Sequence, residues 1–242
     1  MDDLKLPQLI AHRGASLRAP ENTLAALYEA KVLGATWVEF DVRLTRDGKA
    51  IILHDDTLER TTNGQGVVAD LDFSEITDLD AGSWFNSEFR GEPVPTFTQY
   101  LQCAIELNLG VNIELKGTAK QAPLLAQCVI TELNRYWLDH LPPPLISSST
   151  EACLFTLKQY RSPYLQGYIM REWSEQWSKI LQTLACTSLH VEYHALTPER
   201  AKIVKATGKK LLAYTIDDVP TAQTLFHMGV DAIFSNDPKL MG

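Results

Sequence analysis

Eight short β-rich runs, most of them separated by segments of helical period, predict an α/β fold, a (β/α)8 TIM barrel. The length agrees, because 242 residues suit one such barrel. The third observation is an interruption. An Asp-Gly pair between two β-rich runs predicts a hairpin, and with it a small insertion after the second strand. A doubly wound open sheet is the fallback, and no dinucleotide-binding glycine fingerprint supports it.

The first run is Leu9–His12, which enters a turn at Gly14. Pro20-Glu21-Asn22-Thr23 then opens an amphipathic helix over Thr23–Leu33, with Leu24, Leu27, Ala30 and Val32–Leu33 on one face. The second run is Trp37–Val42. Asp47-Gly48 folds the chain back, so Ala50–His54 reads as an antiparallel return strand and not as one of the eight. That fold brings Val42 near Ile52 and Leu53, and His54 near Asp41. Residues 55–93 are rich in Thr, Asn, Gly and Asp, and read as a small insertion lobe beside the barrel mouth, anchored by Trp84 and Phe85. The remaining runs are Val111–Lys116, Leu145–Ser148, Leu165–Ile169, Leu189–Glu192, Leu211–Thr215 and Ala232–Ser235. Helical period recurs over Thr197–Thr207 and Val219–Met228. Gly110, Gly208 and Gly229 each stand just before a strand, as glycines that close helices do. The whole chain, 1–242, reads as one domain.

A content of 45% apolar and 21% charged residues lets a core of this size form without staples. The net charge of −8, with no basic run, sets a surface that repels nucleic acid and anionic headgroups. No stretch is apolar enough to span a membrane, and the N-terminal run MDDLKLPQLIAHRG does not have the form of a signal peptide. Cys103, Cys128, Cys153 and Cys186 are far apart, which fits reduced thiols and a cytoplasmic location better than a zinc site.

His12 and Arg13 close the first strand, with Glu21 a few residues on. A proton-transfer group beside a guanidinium suits a phosphate or carboxylate substrate. Glu39 and Asp41 lie two residues apart on a strand and so point to one face, the barrel interior, while Val38, Phe40 and Val42 face the helices. Asn112, Glu114 and Lys116 repeat that pattern. Three inward carboxylates without Cys or clustered His form a hard-cation site, suited to Mg2+, Ca2+ or Mn2+. Internal salt bridges, with Lys116 paired to Glu114 or Asp41, are the structural alternative. His54 comes to the same end of the barrel as His12, and two imidazoles flanking an anion suit a general acid and base. Glu192 stands either behind the site or in a salt bridge. His190 can face inward with it, and His140 and His227 read as helix-surface residues.

These motifs spell a resemblance. His12-Arg13-Gly14, Pro20-Glu21-Asn22-Thr23, Glu39-x-Asp41, Asp47-Gly48, His54-Asp55, Leu58-x-Arg60-Thr61-Thr62-x-Gly64, Pro95 and Asn112-x-Glu114-x-Lys116 resemble the glycerophosphodiester phosphodiesterase family, bacterial cytosolic type. The resemblance implies one divalent cation, Mg2+ or Ca2+ (or Mn2+), held by Glu39, Asp41 and Glu114. It implies His12 and His54 as the acid–base pair, with Arg13 and Lys116 on the phosphate. It implies cleavage of small glycerophosphodiesters, such as glycerophosphocholine, to sn-glycerol 3-phosphate and an alcohol. The expected protein is a monomer or homodimer without nucleic acid or stable membrane association. Two departures stand near the seventh strand. Tyr214-Thr215-Ile216-Asp217 replaces a Trp-Thr-Val-Asn-like run, so Tyr214 becomes a substrate-facing phenol and Asp217 puts an acid where an amide is usual. Tyr168, Trp173 and Trp177 are candidates for an alcohol-binding surface or for packing. A lysophospholipase D-like diesterase and a non-catalytic binding barrel are the competing readings.

Overall fold

A computed structural model describes residues 5–241; residues 1–4, the head of the run read above for a signal peptide, and residue 242 lie outside it. Eight parallel strands close a barrel: β1 (Leu9–His12), β2 (Trp37–Leu44), β4 (Gly110–Leu115), β5 (Leu145–Ser148), β6 (Leu165–Met170), β7 (Ser188–Glu192), β8 (Lys210–Tyr214) and β9 (Ala232–Ser235). The ring shuts where β1 pairs with both β9 (Ile10 with Phe234) and β2 (His12 with Glu39). A short antiparallel strand, β3 (Ala50–Ile52), returns along β2 with Val42 opposite Ile52. Leu53 N–H donates to the Asp41 carbonyl at 3.1 Å, so His54 does arrive beside Asp41.

Helices α1 (Leu24–Val32), α3 (Phe97–Glu106), α4 (Ala122–Tyr136), α5 (Glu151–Gln159), α6 (Trp177–Thr183), α7 (Pro198–Lys205) and α8 (Val219–His227) alternate with the strands. Their starts follow from local chemistry. Thr23, Thr96, Thr197 and Asp218 each accept a backbone N–H of the first turn of α1, α3, α7 and α8. Proline occupies the first turn of α4, α7 and α8, where its missing N–H costs nothing.

The two faces of the strands bury different things. Ala11, Val38, Phe40, Val42, Val111, Ile113, Leu189, Val191, Leu211 and Ala213 join the helices in one large apolar layer. The alternate positions point inward. Ile10, Trp37, Leu145, Leu212, Ala232 and Phe234 fill the barrel interior as a separate apolar plug. Above that plug, the inward positions of β1, β2 and β4 turn polar, which sets the carboxylates and imidazoles at the strands' C-terminal ends. Small residues make room for large ones inside. A Cβ on Gly110 would lie 2.3 Å from the Trp37 ring, and one on Gly167 would lie 2.5 Å from His190 Nε2.

Several sequence expectations need correction. Val32 is 77% exposed and leaves the buried face of α1, which is carried by Ala26, Leu27 and Ala30. Gly110 begins β4 and closes no helix; the left-handed residue after α3 is Asn108, whereas Gly208 and Gly229 do stand left-handed behind α7 and α8. His140 stands in a turn after α4 and not on a helix, whereas His227, the last residue of α8, is exposed on the helix as expected, with Nδ1 2.6 Å from the Gln223 carbonyl. Between β3 and α3 the chain carries one helical turn, α2 (Phe73–Ile76), and two 3-10 turns. There Leu58, Val68, Ile76, Ala81 and Val94 cluster with Ile51 and Leu53, while Trp84 stays outside that cluster, edge-on to Phe85. Aliphatic side chains around β3, not the Trp-Phe pair, anchor this segment.

Candidate active site

A cavity of about 590 Å³ opens at the C-terminal mouth of the barrel, lined among others by His12, Arg13, Glu39, His54, Glu114 and Lys116. Strand register explains the gathering. Glu39 lies beside Asn112 and Asp41 beside Glu114 across the β2–β4 pair, so the three acids stack on one inner face. One oxygen from each of Glu39, Asp41 and Glu114 lies within 4.8 Å of the others.

The cluster is largely buried and unevenly balanced. Burial, then the charges of Asp41 and Glu114, push the Glu39 carboxyl well above its ordinary range. Burial also raises Asp41, but Lys116 and then Arg13 outweigh it, and its pKa falls. Lys116 reaches Glu114 at 2.5 Å and Asp41 at 3.4 Å. Arg13 lies 3.4 Å from Asp41 through Nε and 2.8 Å from Glu21 through Nη1. Both cations keep raised pKa values, because these acids overcome the effect of burial. Arg13 itself stands left-handed (φ 57°), and its backbone N–H donates to Glu39 Oε2 at 3.1 Å. Even so, Glu39 Oε1 and Asp41 Oδ1 are buried with no hydrogen-bond partner among the described residues. Two buried carboxylate oxygens without a hydrogen bond, in one cluster of hard donors, fit a divalent cation. The salt-bridge alternative accounts for Lys116, whose Nζ stands 3.4 Å from Asp41 Oδ1, and leaves Glu39 Oε1 without a partner.

The two histidines flank this cluster. Burial first, then Arg13, lowers His12 to about 4, so its ring is neutral at neutral pH. His12 Nδ1 lies 2.8 Å from Asn236 Oδ1, and Nε2 lies 3.9 Å from Glu39 Oε2. Burial lowers His54 as well. His54 Nδ1 lies 2.6 Å from Asp55 Oδ1, and Arg60 clasps that same carboxylate at 2.5 Å. Arg60 also reaches Glu21 at 2.8 Å, which ties the loop after β1 to the loop after β3.

Most sequence-selected residues meet here. Asn112 is buried, with Nδ2 donating to Ser147 Oγ at 3.0 Å, and both it and Tyr214 line the cavity. Glu192 does not join the acids: it accepts from the backbone N–H of His194 and lies 2.8 Å from that ring's Nδ1. His190 faces inward, 2.9 Å from Ser188 Oγ, and burial lowers it to about 3. Trp173 and Trp177 pack on each other, and Arg200 lies over Trp173; neither they nor Tyr168 line the cavity. Asp217 is also absent from the lining, and its carboxylate is taken up by Asn236 and Ser235. Sequence reasoning missed Asn22 as a site residue, although it lay inside a quoted motif. Its Nδ2 donates to Asp41 Oδ2 at 2.8 Å, from a left-handed backbone that asparagine tolerates. Asn236 and Arg171, also missed, sit in loops after β9 and β6 and carry no periodic signal.

A barrel whose mouth sets cations and imidazoles over a carboxylate cluster is an enzyme built for an anionic ester. Comparison with known proteins narrows that class. Residues 12–240 match the glycerophosphoryl diester phosphodiesterase family. A glycerophosphodiester phosphodiesterase of Caldanaerobacter subterraneus is 35% identical over 96% of this chain and 95% of its own length. The solved structure of an Oleispira antarctica phosphodiesterase, in complex with the product sn-glycerol-3-phosphate, superposes with a TM-score of 0.94 at 37% identity, covering 97% of this chain and 94% of that one. A glycerophosphodiester phosphodiesterase from Agrobacterium tumefaciens follows, at 29% identity, a TM-score of 0.81, and coverage of 97% and 98%. The chain belongs to the glycerophosphoryl diester phosphodiesterase family, and is a phosphoric diester hydrolase.

Proposed function

We propose that this enzyme hydrolyses small, water-soluble glycerophosphodiesters, glycerophosphocholine and glycerophosphoethanolamine among them, to sn-glycerol 3-phosphate and the free alcohol. The observation that carries the reading is the convergence of His12, His54, Arg13, Lys116, Glu39 and Glu114 on one cavity, with Asp41 buried against the same two acids. The product bound by the Oleispira enzyme supports the same product here. Glu39, Asp41 and Glu114 would hold one divalent cation, Mg2+ or Ca2+, with Mn2+ also suited to the donors. When bound, that cation neutralises charge on the phosphoryl group.

The chain's own residues do the rest. Arg13 and Lys116 offer fixed positive charge to a diester that is itself an anion and a poor electrophile. His12 and His54 form the acid–base pair, one taking a proton from the attacking hydroxyl while the other delivers one to the leaving oxygen. Tyr214 bounds the cavity with an aromatic face. Burial, then Glu114, raises its phenol, which stays protonated and able to donate. Free thiols at all four cysteines support a cytoplasmic site of action.

Among the described residues no helix is long and apolar enough to cross a membrane, and the chain's net charge is −8. Both features favour soluble diesters over the lipid-chain substrates of a lysophospholipase D. The presence of both histidines and all three carboxylates disfavours a non-catalytic barrel. A coupled assay decides. Purified protein is given glycerophosphocholine, glycerophosphoethanolamine or lysophosphatidylcholine, with Mg2+, Ca2+ or chelator; glycerol 3-phosphate is read with its dehydrogenase, and choline freed from the lysolipid with choline oxidase. Cation-dependent release from the soluble diesters is expected. No release from them under any condition would overturn the reading.

A further inference from the structure

His12 is reached from behind by a hydrogen-bonded pair that the reaction as described does not use. Asp217, just beyond β8, accepts the Asn236 backbone N–H at 2.8 Å through Oδ1, and the Asn236 side-chain Nδ2 at 2.7 Å through Oδ2. Ser235 Oγ holds Asp217 Oδ1 from the other side at 3.1 Å. Asn236 Oδ1 then faces His12 Nδ1 at 2.8 Å, with Ser16 Oγ donating to the same oxygen at 2.7 Å.

We propose that Asp217, acting through Asn236, is a positioning residue that fixes which nitrogen of His12 carries the proton. A carboxylate offers only acceptors, so the Asn236 NH2 must face Asp217. Flipping that amide would set its carbonyl oxygen against the Asp217 carboxylate. The Asn236 carbonyl oxygen is therefore committed to His12, and an acceptor at that place requires a proton on Nδ1. Nε2 is left with its lone pair facing the cavity. The acid that departs from the usual amide in the seventh-strand run thus acts on the imidazole. Ser16 adds to the same bias when its single hydroxyl proton goes to Asn236 Oδ1 rather than to the His12 carbonyl, 2.8 Å away.

The inference rests on His12 as a proton-transfer group, yet its first test needs no turnover. Long-range proton–nitrogen NMR on uniformly labelled protein at neutral pH reads the tautomer of each imidazole, and His12 is assigned by the signal missing from His12→Gln. The expected spectrum has His12 protonated at Nδ1; protonation at Nε2 overturns the proposal. The second test is kinetic. Asp217→Asn frees the amide to turn, and kcat should fall about 10- to 100-fold, less than loss of a whole acid–base group, with KM within about twofold. The exchange Asp217→Asn with Asn236→Asp keeps an acceptor toward His12 and should recover most of kcat and the Nδ1–H signal. An Asp217→Asn protein that keeps both the wild-type spectrum and wild-type kcat overturns the proposal. So does an exchange variant that regains the spectrum without regaining kcat.

Discussion

Asn22 is the residue on which the site's local geometry can be tested with fewest confounding effects. It is buried, stands at φ 60°, and bonds Asp41 twice: Nδ2 donates to Oδ2 at 2.8 Å, and Oδ1 accepts the Asp41 backbone N–H at 3.3 Å. Asn22→Gly removes both bonds and keeps the left-handed turn available. The bond to a carboxylate is worth about 1.5–3 kcal/mol, so a loss of about 2 kcal/mol in unfolding free energy is expected. Asn22→Ala removes the same bonds and adds a Cβ in the left-handed region, at about 1–2 kcal/mol. The stiffer unfolded chain of alanine returns about 0.4–1 kcal/mol of that. Alanine should therefore be the less stable variant by about 0.5–1 kcal/mol, the difference of those two terms. Urea unfolding, followed by far-UV circular dichroism in chelator, measures both. A glycine variant within about 0.5 kcal/mol of wild type, the spread of neutral surface changes, would refute the hydrogen-bond argument. Alanine more stable than glycine would refute the backbone argument.

Other expectations follow from the same geometry. His12→Ala and His54→Ala should each lower kcat by at least about 10²-fold while the thermal midpoint stays near wild type, measured by steady-state assay and calorimetry. Wild-type-like turnover by either would remove that histidine from the chemistry. Mg2+ or Ca2+ at about 100 times its Kd should stabilise the folded state by about 2.7 kcal/mol, and Glu114→Gln should shrink that shift. An unchanged melting midpoint across a cation titration would count against the carboxylate site. His190 is buried and falls from an ordinary 6.5 to about 3, so the folded state resists protonating it while the unfolded chain does not. Its contribution is present in full above pH 6.5 and is lost as pH falls from there toward about 3. His190→Gln should flatten the acid limb of the stability–pH curve by about one proton; an identical slope would place the sensitivity elsewhere. Gly167→Ala drives a Cβ to 2.5 Å from His190 Nε2 and should destabilise by about 1–3 kcal/mol in urea unfolding.

The alternation of inward and outward side chains made the barrel readable. Val38, Phe40 and Val42 against Glu39 and Asp41 is a period-two pattern, and that alone set the acids inside. The Asp47-Gly48 turn fixed the return strand closely enough to carry His54 to Asp41. What stayed hidden depends on distance along the chain or on how local space is used. His12 and Asn236 are separated by 224 positions and touch only because the last strand closes on the first. Gly110 looked like a helix stop because glycine before a strand usually is one, whereas here the Trp37 ring occupies the space a Cβ would need. The aromatic trio Tyr168, Trp173 and Trp177 has the composition of a binding surface, and nothing in the sequence says which side of β6 the following helix packs on. Glu192 shares its strand face with His190, but the 3-10 turn after it pulls His194 back onto the carboxylate.

The meeting of β1 with β9 has a consequence for when the molecule becomes competent. His12 leaves the ribosome 224 residues ahead of the amide that holds its ring. A nascent chain can form β1 and α1 early, and even stack β2 and β4 beside them. The imidazole nevertheless lacks its anchor until the chain has emerged through Asn236 and β9 has docked. Turnover should therefore begin only once synthesis has passed that point, in a single step and not in proportion to length. Stalled ribosome complexes of increasing length, assayed for diesterase activity, would show that step.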